Sequence, residues 1–193
     1  MLFRSTRSPF QNTGTGPCIC HLATTRFGGA GIAASRLHDA LRRSGVDSLF
    51  ATEDPRSPIA NGYLTIAPED RSFVSRLLTR LGLTRSSRIL WQEKLDRLDR
   101  QGVFVSGPAG RADLPSQPVI SCADIVHLHW VAGLLNWETF FGEVKKPLVW
   151  TLHDMQPFKG IFHYRVDRDR AGPNAQQLSE HVRIRKVHFL RSL

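Results

Sequence analysis

The chain has 193 residues, of which 41% are hydrophobic and 22% are charged, a composition ordinary for a globular protein. Its length suffices for one domain with a sizeable core and predicts no second full domain. No run of about 18 apolar residues is present, which argues against a bilayer-crossing helix. The three cysteines are too few for a disulfide framework, which favours reduced thiols in the cytoplasm.

The N-terminal part predicts a disordered extension followed by a strand, a glycine-rich turn and a helix. Residues 1–16 are basic and then polar, without an apolar segment. An apolar run predicts a strand at 17–24, and helical spacing predicts a helix at 30–43. The glycines have two interpretations. In the first, the backbone N–H groups at the start of the helix bind a phosphate. In the second, the chain makes a tight turn that needs glycine only for its backbone conformation. The candidate loop for a phosphate or another anionic oxygen is Gly28, Gly29, Ala30 and Gly31.

The middle of the chain combines positive charge with an amphipathic pattern. The chain has 26 Lys and Arg residues against 17 Asp and Glu residues, a net charge of +9. Apolar residues recur at helical spacing within 71–90, opposite a basic face. This pattern is typical of a helix on an anionic membrane surface, and also of a surface helix packed on its own domain. No nucleic-acid-binding module is recognisable. The expected location is cytoplasmic, peripheral to the inner membrane face.

Strand and helix patterns alternate along the rest of the chain. Strands are predicted at 46–51, 62–67, 125–130 and 148–152, with a helix at 134–144 and an irregular segment at 102–118. Two apolar strands joined by a helix form a βαβ unit, which requires a parallel sheet. The predicted fold is α/β, a Rossmann-like parallel sheet with helices on both faces. Its carboxyl edge, where such sheets bind ligands, collects the glycine loop and the cleft-lining candidates His129, Trp130 and Asp154.

Histidines at the strand ends supply the candidate chemistry. His153 directly follows a buried strand, and Asp154 beside it is expected to orient the ring. An imidazole in that place suits contacts with a sugar hydroxyl or a phosphate. An alternative function is a metal-dependent hydrolase, in which His127, His129 and His153 bind zinc or a similar ion.

Two further functions stay open at this point. A dinucleotide-dependent dehydrogenase would use Glu53 or Asp54, which lie about 20 residues past the glycines, to bind the ribose. The glycine spacing departs from Gly-x-Gly-x-x-Gly, however, and no substrate domain follows. A non-catalytic binding module would use the same cleft without any transfer reaction.

Three segments occur in a characteristic order and spacing. They are Phe27-Gly28-Gly29-Ala30-Gly31-Ile32-Ala33-Ala34-Ser35-Arg36-Leu37-His38, Ala123-Asp124-Ile125-Val126-His127-Leu128-His129-Trp130 and Pro147-Leu148-Val149-Trp150-Thr151-Leu152-His153-Asp154-Met155-Gln156-Pro157-Phe158. Together they resemble the N-terminal domain of glycosyltransferase family 4, in particular bacterial enzymes that build colanic-acid-like and other surface polysaccharides. The resemblance implies a GT-B arrangement of two Rossmann-like domains. It also implies retaining transfer of a sugar from a nucleotide-sugar, with no cofactor and no essential metal.

Carried over to this chain, the resemblance implies that His153 is the catalytic histidine and contacts the transferred sugar. It implies that Gly28 to Gly31 face the donor phosphates and the acceptor. The implied partner is a sugar or lipid-linked oligosaccharide acceptor, and a nucleotide-sugar donor only together with a C-terminal domain. The Glu-x7-Glu motif of that donor domain is absent, so residues 17–193 are expected to be a truncated acceptor-side domain that is inactive alone. A truncated gene, a split enzyme whose donor half is a separate chain and a degenerate binding module are the three explanations left open. Cysteines that relatives carry near 160–164 are also missing.

Overall fold

The computed structural model describes residues 16–57, 60–66, 86–110 and 114–191. Its five strands are β1 (Ile19–Leu22), β2 (Ser48–Thr52), β3 (Tyr63–Thr65), β4 (Ile125–Leu128) and β5 (Leu148–Trp150). They form one sheet in the order β3-β2-β1-β4-β5, and every neighbouring pair is parallel. This arrangement confirms the α/β, Rossmann-like fold predicted from the sequence.

Six helices lie within the described residues. They are α1 (Gly28–Arg43), α2 (Ser87–Asp96), α3 (Pro118–Cys122), α4 (Trp137–Glu143), α5 (Arg165–Arg170) and α6 (Pro173–Arg191). None of the helices in this part of the chain is long and apolar enough to cross a membrane.

Strand β1 lies at the centre of the sheet, between β2 and β4. Leu22 at its end is in register with Ala51 of β2 and with Leu128 of β4. The chain turns to one side of β1 to form β2 and later returns to the other side to form β4. In open parallel sheets the ligand crevice lies at such a reversal, beyond the carboxyl ends of the strands.

Alternate strand residues pack into two different layers, because successive side chains of a strand point to opposite faces. One layer is the main hydrophobic core, formed by strand residues together with side chains of α4 and α6: Cys20, Leu22, Val126, Leu128, Trp137, Phe140, Phe141, Phe189 and Leu190. On the opposite face, Ala23 and Phe50 pack against Ala34 of α1 and Tyr63. Helices therefore cover both faces of the sheet.

A second hydrophobic cluster joins α2 to the C-terminal part of the chain. Leu95 of α2 and Val105 pack with Phe162 and with Val182 of α6. Val105 also forms an antiparallel bridge with Phe162, and the Ser106 N–H donates to the Ile161 carbonyl oxygen at 3.0 Å. This cluster places the segment around residue 106 beside the loop that follows β5.

Element bounds differ from the prediction mainly at the edges. Helix α1 begins at Gly28 instead of residue 30, and it buries Gly31, Ala34, Ser35 and His38. Helix α4 begins at Trp137 instead of residue 134, because residues 131–135 form a turn in which two N–H groups bond to the Val131 carbonyl. Helix α3 begins at residue 118, the end of the segment that was predicted to be irregular.

Two predicted features fall largely outside the described residues. The predicted disordered extension covers residues 1–16, of which only Gly16 is described. The predicted basic amphipathic helix covers 71–90, of which only 86–90 are described, and residues 87–90 form the first turn of α2. Membrane-surface binding by 71–90 therefore stays a prediction.

Candidate functional site

An open cavity of about 550 Å³ lies at the carboxyl edge of the sheet. Its lining comes from the ends of β1 and β2, from α2, from the segment 104–109 and from the turn after β4. The polar and aromatic members of that lining are Thr24, Thr25, Glu53, Asp54, Arg56, Arg88, Trp91, Gln92, Phe104 and Ser106. The cavity thus occupies the place where open parallel sheets bind their ligands, and its size is within the ordinary range of small-molecule sites.

Asp54 forms a fixed charged group in this cavity. Its carboxylate accepts hydrogen bonds from the Thr25 hydroxyl at 2.8 Å and from the Arg56 guanidinium at 2.9 and 2.8 Å. The hydrogen bond from Arg56 holds the pKa of Asp54 well below its ordinary value, so the carboxylate is charged at neutral pH. The guanidinium of Arg56 is largely exposed and lies 4.6 Å from the Phe27 ring centroid.

A hydrogen-bonded chain leads from the cavity into the protein. Ser106 is one of the residues that line the cavity, and its hydroxyl lies 2.9 Å from Nε2 of His163. The other ring nitrogen of His163, Nδ1, lies 2.5 Å from Oδ2 of Asp154. Asp154 also accepts hydrogen bonds from the Trp130 indole at 2.7 Å and from the Gln156 N–H at 3.0 Å. We call these three residues the Ser106–His163–Asp154 chain.

The loop that carries Asp154 and His163 is anchored by α6. The Ser179 hydroxyl donates to the Lys159 carbonyl at 2.7 Å and accepts from the Ile161 N–H at 3.2 Å. Gly160 has a φ of 70°, and a Cβ built at that position would overlap the backbone oxygen of Ser179. Glycine is therefore required there by both conformation and space.

Lys186 of α6 is a second anchor of the same loop. Its side chain is fully buried, and its amine donates to the carbonyl oxygens of Gln156 at 3.1 Å and Gly160 at 2.7 Å. The amine also lies 4.4 Å from the ring centroid of Trp137. Burial lowers the pKa of Lys186 well below its ordinary value, although Asp154 acts in the opposite direction. The buried amine of Lys186 thus fixes two carbonyl oxygens of this loop.

Four histidines lie together on one face of the sheet. His21 of β1 is in register with His127 of β4. Nδ1 of His21 lies 3.1 Å from Nε2 of His129, and Nδ1 of His129 lies 3.3 Å from Nε2 of His153. His127 points its Nε2 toward the Thr151 hydroxyl at 2.8 Å.

His21, His127 and His129 form the tightest part of this histidine cluster. One possible ligand atom from each of the three lies within 4.8 Å of those from the other two. Nε2 of His21 is buried and has no hydrogen-bond partner among the described residues. Burial, together with the neighbouring histidines, lowers the pKa values of His21 and His129 to about 3. Both rings are therefore neutral at neutral pH, the protonation state in which imidazole binds metal ions.

The glycine loop lies apart from the cavity lining. Gly28, with a φ of 75°, and Gly29 are exposed at the start of α1, with open space around them. Gly31 is buried against the backbone of Thr25 and Arg26, where a Cβ would overlap main-chain atoms. The loop thus contains one glycine required for close packing and two at the accessible N-terminus of a 16-residue helix.

The structure unites some predicted site residues and separates others. His129 and His153 are neighbours, and Trp130 contacts Asp154. Asp154 was expected to orient His153, but its oxygens accept from His163, Trp130 and the Gln156 N–H instead. The cavity lining includes Glu53 and Asp54, the acids considered for ribose binding, but none of the glycine-loop residues and none of His129, Trp130, His153 and Asp154.

Sequence reasoning missed Ser106, His163 and Lys186 as members of the site. Ser106 falls in a segment predicted to be irregular, where no periodicity points to a structural neighbour. His163 could have been singled out from the sequence, because it lies in the stretch where members of the resembled family carry a cysteine-rich motif. Lys186 could not, since a lysine in a basic helix is normally exposed.

Comparison of the chain with protein-family models, with curated proteins and with solved structures found no match.

Proposed function

We propose that this chain is the acceptor-binding half of a family 4-like, GT-B glycosyltransferase that uses a nucleotide-sugar donor in surface polysaccharide synthesis. The observation that carries the proposal is the cavity of about 550 Å³ at the carboxyl edge of the sheet, with its mixed aromatic and hydroxyl lining. The three sequence segments that resemble the family support the same function. The first segment follows β1, and the other two contain β4 and β5 and extend past the carboxyl ends of these strands.

The cavity lining suits a sugar better than an apolar ligand. Trp91 and Phe104 offer flat surfaces for the apolar face of a pyranose ring, and Thr25, Gln92 and Ser106 offer hydrogen-bonding groups for its hydroxyls. The charged Asp54–Arg56 pair adds a carboxylate that accepts hydrogen bonds and a guanidinium that donates them. Such a site binds a polar ligand in one orientation, as an acceptor must be held for transfer.

In this proposal the predicted residues act beside the acceptor cavity. The accessible N-terminus of α1 at Gly28 and Gly29 favours an anion, which suits donor phosphates delivered by a second domain. His153 contacts the transferred sugar, as the resemblance implies. Donor binding and transfer then require that second domain, while acceptor binding does not.

The proposal predicts that the purified chain binds saccharides and that Trp91 carries much of the affinity. Titration calorimetry and saturation-transfer NMR with mono- and oligosaccharides should show saturable binding. Trp91→Ala should weaken the affinity roughly tenfold, about 1.4 kcal/mol. Phe158→Ala is the matched control, because Phe158 is an exposed aromatic residue outside the cavity lining. Absence of saturable saccharide binding, or equal effects of the two substitutions, contradicts the proposal.

A metal-dependent hydrolase is the second candidate function, and the histidine cluster favours it. The structure changes the expected ligand set: His21 joins His127 and His129, while His153 lies beside His129. The 3.1 Å between Nδ1 of His21 and Nε2 of His129 is close to the separation of two nitrogens bound to one tetrahedral zinc ion, whose Zn–N bonds are about 2.0–2.1 Å.

The metal proposal predicts one equivalent of bound zinc per chain after loading and desalting. Co²⁺ in place of zinc should give the visible absorption of a tetrahedral nitrogen site. His127→Ala should abolish both signals, whereas His181→Ala, which removes an exposed imidazole on α6, should leave them unchanged. Substoichiometric metal in the unsubstituted chain, or equal loss in both variants, removes this candidate.

A further inference from the structure

The Ser106–His163–Asp154 chain has the hydrogen-bond order of a nucleophile, a general base and an orienting carboxylate. The Ser106 hydroxyl lies 2.9 Å from Nε2 of His163, and Nδ1 of the same ring lies 2.5 Å from the Asp154 carboxylate. A carboxylate at Nδ1 fixes the tautomer whose Nε2 accepts a proton from the serine. Such constellations are recognised by geometry and roles and occur on unrelated folds.

The carboxylate of Asp154 is held in one orientation and stays charged. Trp130 donates to the same oxygen that faces His163, and the Gln156 N–H donates to the other oxygen. Burial raises the pKa of Asp154, but the hydrogen bonds from His163, Gln156 and Trp130 outweigh it and hold the pKa below its ordinary value. The His163 ring is thus aligned by a charged carboxylate, and both oxygens of that carboxylate accept a further hydrogen bond that holds it in place.

Within the Ser106–His163–Asp154 chain, only Ser106 borders the cavity. The side chains of His163 and Asp154 are 2% and 6% exposed, whereas Ser106 lines the cavity. Gly107, the next residue in the sequence, also lines the cavity, and its N–H forms no hydrogen bond within the described residues. In many serine hydrolases the N–H of the residue after the nucleophile stabilises the oxyanion.

The three residues are held on a rigid base. Hydrogen bonds tie Ser106 to Ile161 and the His163 carbonyl to the Met155 N–H, both at 3.0 Å. Lys186 and Ser179 hold the intervening loop carbonyls. Such preorganisation is what a reacting serine needs and what a solvent-exposed hydroxyl lacks.

We propose that Ser106 is an activated nucleophile that cleaves small O-acyl esters of polar alcohols bound in the cavity. Ser106 Oγ forms a bond to the ester carbonyl carbon while its proton passes to Nε2 of His163. The bond from that carbon to the alcohol oxygen breaks, and the alcohol takes the proton from His163. Water then attacks the acyl group on Ser106, its proton passing through His163, and releases the carboxylic acid and free Ser106. This activity goes beyond the proposed sugar binding and does not rest on it.

Covalent labelling of the full chain with a fluorophosphonate probe tests the proposal directly. We expect one label per chain, located at Ser106 by peptide mass spectrometry, and no label after Ser106→Ala. Ser44→Ala is the matched control, because Ser44 is an exposed serine at the end of α1. An unlabelled native chain, or labelling that persists in Ser106→Ala, overturns the proposal.

Hydrolysis of p-nitrophenyl acetate provides the second readout. We expect turnover that falls at least 100-fold in Ser106→Ala and in His163→Gln. Circular dichroism of each variant separates loss of chemistry from loss of fold, and Ser106→Ala removes only one oxygen atom. Turnover within twofold of the native rate in folded Ser106→Ala overturns the proposal.

Discussion

At the residue scale, two glycines with the same left-handed backbone conformation differ in how tightly the protein packs around them. Gly160 and Gly45 have φ angles of 70° and 80°. Gly45 follows α1, and a Cβ added there would meet open space, as expected for a glycine that ends a helix, whereas a Cβ at Gly160 would overlap the backbone of Ser179. The two positions share a conformation but differ in their surroundings.

This difference predicts unequal costs for the same substitution. Gly45→Ala should lower the free energy of unfolding by about 1 kcal/mol, the cost of a left-handed alanine. Gly160→Ala should lower it by about 2–5 kcal/mol, because the added methyl group also displaces α6 from the loop. Urea denaturation of both variants measures the two losses. Equal losses would show that the loop moves away from α6 without cost.

At the element scale, the site depends on how α6 holds the loop between β5 and α5. Apolar periodicity predicted the strands, and the structure confirms five of them in parallel. Periodicity could not predict where that loop lies, because residues 151–164 have no regular pattern. The loop is held instead by contacts with α6, such as the hydrogen bond from Lys186 to the Gln156 carbonyl. Strand β4 ends at Leu128, two residues before the predicted end; His129 then contacts His21 of β1, and Trp130 contacts Asp154 in the loop after β5.

At the scale of the whole molecule, the neutral histidines make stability depend on pH. Burial, together with the neighbouring histidines, lowers the pKa values of His21 and His129 to about 3, while an unfolded histidine has a pKa near 6.5. Between these pH values the unfolded chain binds more protons than the folded chain. These two histidines therefore leave the free energy of unfolding undiminished above pH 6.5 and lower it progressively as the pH falls toward 3.

A substitution in the histidine cluster measures this effect. Each neutral histidine contributes a slope of about 1.4 kcal/mol per pH unit between pH 4 and 6. His21→Gln should therefore reduce the pH dependence of the unfolding free energy by about that amount, with a chelator present to exclude metal binding. His181→Gln, at an exposed position, should leave the slope unchanged. An unchanged slope in His21→Gln would show that His21 is protonated in the folded chain.

The sequence by itself determined the alternation of strands and helices, the parallel sheet and the glycine turn after β1. These follow from periodicity and backbone conformation, which act between near neighbours in the chain. Only the tertiary structure decided which side chains meet. Ser106 contacts His163 across 57 positions, and His21 contacts His129 across 108. Such contacts depend on strand register and on loops packed against distant helices, neither of which leaves a periodic pattern in the sequence.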